Sequence, residues 1–255
     1  IILYNAFGWE PTVYAHTPLL RGEDGSKLGK RHGAQPALEY RKQGYLPEAL
    51  LNYLALLGWT HPAEKEFFDL EEMIDKFALE DLDATAPVYD EDKLKWLNGK
   101  WIRSLSTAEL ISKFKILNLK FLESVSEENL KEIVPLVQER METLTDFEDL
   151  ARFFFERPEV EKELLIEQAH GNEEEAKFIL KAAIKIIQKT ELEHDELEES
   201  FRARAKEEGW GMRAICMTTR VALTGKTVSP PLFDCIPVLG RRETTERLTT
   251  VLESL

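Results

Sequence analysis

The chain has 255 residues and carries 47 acidic against 33 basic side chains, a formal net charge of −14. That length exceeds the usual size of one domain, so two or three domains are expected. No apolar run approaches the length of a membrane-spanning helix, and no membrane is implied. Two cysteines fit a reducing cytoplasm, and five scattered histidines lack metal-ligand spacing, so no metal site is predicted.

The net charge argues at first against a polyanionic partner, but its distribution is uneven. Nine basic and five acidic side chains fall between Arg202 and Arg247, whereas acidic residues cluster from Glu191 to Glu199. A local basic surface could therefore contact phosphates while the rest of the molecule repels them.

The first predicted element is the end of a helix over residues 1–7, stopped by Gly8. Short apolar stretches at 13–14 and 17–20 then predict a last strand or an extended lead-in. Because the chain starts at Ile1 and has no signal-peptide pattern, we expect it to be a piece of a longer protein.

Residues 25–33, Gly-Ser-Lys-Leu-Gly-Lys-Arg-His-Gly, combine three glycines with the cations Lys27, Lys30 and Arg31. Glycine lets the backbone approach a ligand closely, and the cationic heads form charge-assisted bonds to phosphate oxygens. This composition predicts a phosphate-binding loop, with a solvated surface turn as the alternative.

Everything after the loop is predicted to be helical. Apolar residues at 50, 53, 54 and 57 form one stripe closed by Gly58, and a longer stripe runs from Ala176 to Ile187 behind a cap at Asn172 and Glu175. Further capping pairs predict four more helix starts: Asp69 with Glu72, Ser106 with Glu109, Thr145 with Glu148, and Thr190 with Glu193. Candidate domain seams lie at 105–107 and at 156–159, where Pro158 interrupts a helical pattern.

One nucleotide-binding motif is rejected on spacing. Gly225-Lys226-Thr227 resembles the tail of a P-loop, but Arg220 stands where that motif needs another glycine.

The glycine-rich loop is followed by a long specific context. Residues 44–59 read Gly-Tyr-Leu-Pro-Glu-Ala-Leu-Leu-Asn-Tyr-Leu-Ala-Leu-Leu-Gly-Trp, and residues 93–98 read Lys-Leu-Lys-Trp-Leu-Asn. This pattern resembles the glutamyl-tRNA synthetase family of class I aminoacyl-tRNA synthetases, whose KMSKR-type signature leads into the same run. The resemblance continues through residues 220–225 and 229–248 and covers nearly the whole chain.

The resemblance implies a ligase that joins glutamate to tRNA(Glu), using ATP with Mg²⁺ and a glutamyl-adenylate intermediate. Lys30 matches the second signature lysine, Lys27 the first and Arg31 the closing arginine, which makes all three catalytic and the two lysines ATP-binding. Gly29 stands where most members have serine, so one hydroxyl donor is lost there.

The implied fold is mainly α, a multi-subdomain helical protein with a short remnant of the class I catalytic domain at its N-terminus. Residues 1–105 would hold the signature loop and a stem-contact region, and residues 106–158 and 159–255 two subdomains of an anticodon-binding helical cage. Arginines that could bind tRNA by stacking or by contacts to bases and phosphates are Arg140, Arg152, Arg213, Arg220, Arg241 and Arg242. Arg140 lies about where discriminating members read the third anticodon base.

Nothing in residues 1–21 matches the family's nucleotide-binding half, so the isolated chain is not expected to aminoacylate. The expected partners are tRNA(Glu), ATP and glutamate, with neither DNA nor a membrane, for a cytoplasmic monomer. Charging of tRNA(Gln) stays open. The alternatives are a free-standing tRNA-anticodon-binding module without catalysis and a helical interaction scaffold.

Overall fold

The computed structural model describes residues 1–29, 35–117, 122 and 125–255. Over these ranges the chain forms thirteen α-helices and no β-sheet, with isolated β-bridges only. It divides into two compact units, Ile1–Ser104 and Leu105–Leu255. The predicted mainly α fold is confirmed.

The first unit is built on five helices and a 3₁₀ turn at Leu79–Asp81. The helices are α1 (Ile2–Phe7), α2 (Ala37–Lys42), α3 (Pro47–Leu56), α4 (Leu70–Lys76) and α5 (Glu91–Ser104). Helix α3 packs against α5. Their shared core is rich in tyrosine and contains Tyr40, Tyr45, Tyr53, Leu57, Tyr89, Leu94 and Leu97.

Two buried asparagines fix the backbone around α3. The side-chain oxygen of Asn98 accepts a hydrogen bond from the backbone N–H of Leu46 at 2.8 Å, directly ahead of the helix. Asn52 accepts from the indole N–H of Trp101 at 3.3 Å and donates to the carbonyl of Glu66 at 3.1 Å. Buried amides need such partners, so these two residues tie α5 and the segment around Glu66 to α3.

Of the four residues in the predicted stripe on α3, two are buried, Leu50 is half-buried and one is exposed. Tyr53 is 1% exposed and Leu57 is 9% exposed, as the helical spacing predicts, but Leu54 is 51% exposed. The helix carries apolar residues on more than one face, so periodicity alone could not show which of them the core would cover.

Three of the predicted helix caps are formed. Asp69 and Asn172 accept hydrogen bonds from the backbone N–H groups of Glu72 at 2.8 Å and Glu175 at 3.1 Å. At Ser106 the capping box is reciprocal. The backbone N–H of Ser106 donates to the Glu109 carboxylate at 2.8 Å, and the backbone N–H of Glu109 donates to the Ser106 hydroxyl at 3.3 Å.

One of the predicted helix starts is wrong, and the start at Thr145 is confirmed but lacks the predicted capping bond. Thr190 ends α10 instead of starting α11, and its hydroxyl donates to the carbonyl of Ile186 at 2.7 Å. Thr145 makes no capping bond, and the Asp146 carboxylate instead accepts from the backbone N–H of Thr143 at 2.7 Å. Thr-x-x-Glu also occurs where threonine bonds back to the preceding turn, so the pattern alone does not give the direction.

In the part of the second unit that the structure describes, eight helices form a bundle. They are α6 (Thr107–Leu117), α7 (Glu127–Gln138), α8 (Asp146–Phe155), α9 (Lys162–Gln168), α10 (Glu173–Lys189), α11 (His194–Glu208), α12 (Met212–Thr224) and α13 (Leu232–Ser254). Helix α10 lies at the centre and packs on α9, α11, α12 and α13. In its predicted stripe Ile184 is half-buried, and the other five residues are 0% exposed: Ala176, Ile179, Leu180, Ala183 and Ile187. Helix α13 is kinked at Gly240, which has φ of +77°.

The structure gives a reason, other than nucleotide binding, for the glycine at position 225 of the Gly-Lys-Thr run. Gly225 ends α12 in the left-handed conformation, with φ of +68°, and an added Cβ would lie 2.7 Å from the carbonyl oxygen of Glu159. Both constraints require glycine.

Hydrogen bonds span the predicted boundary between residues 158 and 159. Arg157 donates to Glu243 at 2.8 Å, Lys226 donates to the carbonyl of Asp149 at 3.0 Å, and Arg247 donates to that of Phe153 at 2.5 Å. The separation of residues 106–158 from 159–255 stays a prediction.

Candidate nucleic-acid interface and signature loop

The signature loop begins as a narrow hairpin in the first unit. The backbone N–H of Leu28 donates to the carbonyl of Leu20 and that of Gly22 to the carbonyl of Ser26, each at 2.9 Å. Gly25 forms the tip with φ of +75°, a conformation that glycine adopts without strain. The hairpin therefore holds the glycine-rich segment in one backbone path up to residue 29.

Lys27 is the signature cation that the structure describes. It is exposed and lies on the second arm of the hairpin, opposite Arg21. No carboxylate among the described residues forms an ion pair with it, so its ammonium group is available to an anion. Lys30 and Arg31 lie outside the described residues, and their assignment stays a prediction.

Three of the six arginines predicted to bind tRNA are engaged within the fold of the second unit. Arg152 forms ion pairs with Glu148 and, at 3.4 Å, with Glu156. Arg242 pairs with Glu246 at 2.8 Å.

Arg241 bonds to backbone carbonyls, whereas Arg152 and Arg242 form ion pairs with carboxylates. Its guanidinium donates to the carbonyls of Ile187 and, at 2.8 Å, of Thr190, which are free acceptors at the end of α10. This arginine therefore caps a helix.

The other three arginines have no carboxylate partner among the described residues. Arg140 is exposed in the turn after α7, and Arg213 is exposed in the first turn of α12. Arg220 is half-buried on α12 and donates to the carbonyl of Ser229 at 3.2 Å. Unpaired guanidinium groups keep their full charge and their hydrogen-bond donors for a ligand.

Both cysteines of the second unit interact electrostatically with Arg220. Burial raises the pKa of the Cys216 thiol to about 11 and that of the Cys235 thiol to about 12, while Arg220 acts on both in the opposite direction and Arg140 on Cys235. The charges of Glu198 on Cys216 and of Asp234 on Cys235 oppose those of the arginines.

A further cationic surface in the first unit was missed by the sequence analysis. The ammonium group of Lys100 on α5 lies 4.6 Å from the ring centroid of Trp96 and 5.6 Å from that of Phe67. Trp96 is 41% exposed, which is unusual for so large an aromatic side chain. An exposed indole beside a cation suits base stacking and phosphate contact, and the sequence signal was the aromatic residue four positions before a lysine.

The described part of the chain contains neither a cluster of metal ligands nor a membrane-spanning helix. No group of three or more potential ligands among its histidine, cysteine, aspartate and glutamate side chains could hold a metal ion. No helix there is long and apolar enough to cross a membrane.

Comparison with protein families gives two matches. Residues 106–252 match the anticodon binding domain, and residues 1–96 match the catalytic domain of class I tRNA synthetases (E and Q). The fold is thus that of a class I aminoacyl-tRNA synthetase with a helical anticodon-binding domain.

Individual proteins similar to this chain are glutamate–tRNA ligases. Glutamate–tRNA ligase 1 of Fervidobacterium nodosum is 38% identical over 252 residues, covering 99% of this chain and 52% of the relative. The ligase of Azorhizobium caulinodans is 39% identical, covering 96% and 54%. The crystal structure of a glutamate tRNA ligase from Elizabethkingia meningosepticum, in complex with its amino acid, superposes with a TM-score of 0.86 at 28% identity, covering 100% of this chain and 54% of that one.

The chain belongs to the glutamate–tRNA ligase family. It spans about half the length of the curated relatives it matches. The resemblance identified from the signature loop and the run at residues 44–59 is confirmed.

Proposed function

We propose that this chain is the carboxy-terminal part of a glutamate–tRNA ligase, which joins glutamate to tRNA(Glu) with ATP through a glutamyl-adenylate. The observation that carries the proposal is the match of residues 106–252 to an anticodon-binding domain, in a helical unit where Arg140, Arg213 and Arg220 have no described carboxylate partner. An alternative binding module without catalysis would have no need for a signature loop beside an ATP site.

The signature loop would act in the activation of glutamate. When the carboxylate of glutamate attacks the α-phosphate of ATP, the bond between the α- and β-phosphates breaks, and negative charge develops on the departing pyrophosphate. ATP would enter this step as its Mg²⁺ complex. Lys27, with Lys30 and Arg31, would stabilise this charge electrostatically. The exposed position of Lys27 without a described ion pair supports its part in this role.

The second unit would grip the anticodon loop. Bases of an RNA loop are splayed and can be stacked on guanidinium planes or hydrogen-bonded at their edges. Arg140, Arg213 and Arg220 are proposed for these contacts. Arg152 and Arg242 can exchange their carboxylates for phosphates at small cost, because exposed ion pairs are weak.

Arg241 is left out of this proposal, because its donors already bond the end of α10. Its guanidinium could reach RNA only by uncapping that helix.

Binding of the isolated chain to a tRNA(Glu) transcript tests the RNA-binding part. We expect affinity to fall steeply as salt rises from about 50 to 200 mM, because phosphate contacts release counterions. Arg140→Gln is expected to weaken binding about tenfold and to reduce discrimination at the third anticodon base. Arg202→Gln is the matched control: this arginine is also exposed, and it pairs with Glu198.

Two results would contradict the proposal. An affinity for tRNA that does not change across the salt range would show that phosphate contacts do not contribute to binding. Equal weakening of every tRNA by Arg140→Gln would make Arg140 a phosphate contact and not a base reader.

We further propose that the ligase is a cytoplasmic monomer. Aminoacylation assays on the full-length ligase with tRNA(Glu) and tRNA(Gln) test which of the two tRNAs it charges. Analytical sedimentation tests whether it is a monomer.

A further inference from the structure

Both flanks of the signature loop meet at a single residue, Tyr89. On the entry side, the backbone N–H of Tyr89 donates to the carbonyl of Arg21 at 2.8 Å, and the N–H of Arg21 donates to the carbonyl of Pro87 at 2.9 Å. Two successive backbone bonds therefore pair the start of the loop with the segment just before α5.

The hairpin extends this pairing to the first signature lysine. Lys27 lies opposite Arg21 across the antiparallel bridge, and Arg21 lies opposite Val88 across a parallel one. The path from Tyr89 to the backbone of Lys27 is thus made of consecutive hydrogen-bonded backbone segments.

On the exit side, the contact is made by a side chain. Tyr40 lies on α2, the first described helix after the loop, and its hydroxyl hydrogen-bonds that of Tyr89 at 2.9 Å. Both tyrosines are buried, at 8% and 7% exposure. The ring of Tyr53 packs edge-on against Tyr89 with centroids 5.8 Å apart, which fixes the orientation of the Tyr89 ring.

We propose that the Tyr40–Tyr89 hydrogen bond is a clasp that joins the two flanks of the signature loop, and that both tyrosines are positioning residues for Lys27. The proposal rests on the proposed function, because it assigns Lys27 to the phosphates of ATP. A long lysine side chain loses conformational entropy on binding, so a fixed backbone lowers the cost of placing its ammonium group.

The clasp is suited to persist over the working pH range. Burial raises the pKa of Tyr89 far above the ordinary tyrosine value, and its bond with Tyr40 raises it further. The Tyr89 phenol therefore keeps its proton and can donate or accept in the bond with Tyr40.

Amide hydrogen exchange on the chain itself tests the clasp. We expect Tyr40→Phe and Tyr89→Phe each to speed exchange of the Leu28 and Gly22 amides about fivefold, the size set by one net hydrogen bond. The double variant should match either single variant, because all three remove the same bond. The amide of Ile179 in α10 should exchange at an unchanged rate in every variant.

Tyr53→Phe is the matched control. It removes another buried phenol hydroxyl of the same core, one that accepts a hydrogen bond from the backbone N–H of Asp90 at 2.7 Å, but it leaves the clasp intact. Unchanged loop exchange in the clasp variants, additive effects of the two substitutions, or an equal effect of Tyr53→Phe would each overturn the clasp.

Kinetics of the full-length ligase test the positioning of Lys27. In tRNA glutamylation, Tyr89→Phe is expected to lower kcat/KM for ATP about fivefold and to leave KM for tRNA unchanged. An unaltered kcat/KM for ATP in an enzyme that charges tRNA would overturn the positioning role while the proposed function stands. A wild-type enzyme that charges no tRNA with glutamate would instead contradict the proposed function. In that case, faster amide hydrogen exchange of Leu28 and Gly22 in the two clasp variants would still show that the clasp exists.

Discussion

At the scale of single residues, the arginines of this chain have opposite roles that their environments decide. Arg247 is 4% exposed and donates to Glu243 at 2.8 Å and to the carbonyls of Phe153 and Leu223 at 2.5 and 3.2 Å. It therefore satisfies acceptors near the ends of α8 and α12. Arg140, which is exposed, has no such bond to a described residue.

Arg247→Met is expected to lower the free energy of unfolding by about 3 kcal/mol, because it leaves buried carbonyls and part of an ion pair without donors. Urea unfolding followed by circular dichroism measures the change. Arg242→Met is the control, since Arg242 is 91% exposed and its loss should cost within about 0.5 kcal/mol. Equal effects of the two substitutions would show that burial of Arg247 does not matter.

At the scale of elements, a histidine joins the starts of α11 and α13. His194 begins α11, and its Nδ1 lies 2.6 Å from a carboxylate oxygen of Asp234 in the first turn of α13. The hydrogen bond with Asp234 raises the pKa of His194, burial opposes the change, and the charges of Asp234, Asp195 and Glu198 raise it further.

A raised histidine pKa stabilises the fold at low pH. The contribution is fully present below the unfolded value of about 6.5 and is lost as pH rises through the folded pKa. We therefore expect the melting-temperature difference between wild type and His194→Gln to be larger at about pH 5.5 than at about pH 8.5. A melting-temperature difference for His194→Gln that is equal at the two pH values would contradict the linkage.

At the scale of the whole molecule, each unit carries a hydrophobic core of its own. In the first unit the core is formed by tyrosines and leucines around α3 and α5. In the second it is centred on α10, α12 and α13 and includes Leu180, Phe201 and Leu248, all 0% exposed. A separate core is the main physical requirement for independent folding.

Residues 105–255 are accordingly expected to fold when expressed alone and to unfold in one cooperative calorimetric transition. Residues 159–255, cut at the predicted inner boundary, should melt at a lower temperature or fail to fold, because the bonds of Arg157, Lys226 and Arg247 across that boundary are disrupted. An undiminished melting temperature for the shorter piece would support a separate third domain.

The sequence allowed much of this to be predicted where the signal is local. The helix stop at Gly8, the cap at Asn172 and the stripe of α10 depend on neighbours within a few residues, and all are confirmed. The helix start assigned to Thr190 failed, because the same residue pattern serves either end of a helix and the surrounding packing selects one. At Thr145 the helix starts as predicted, but without the capping bond.

The family membership and helical character of the chain were determined by the sequence itself, since a long run of specific residues around the signature loop is independent of packing. Only the tertiary structure decided which cations remain available. Arg140 and Arg241 are indistinguishable by residue type, yet one is exposed and the other bonds the end of α10. The link from Tyr40 to Tyr89 likewise joins residues far apart in the chain, and only folding could place their hydroxyls 2.9 Å apart.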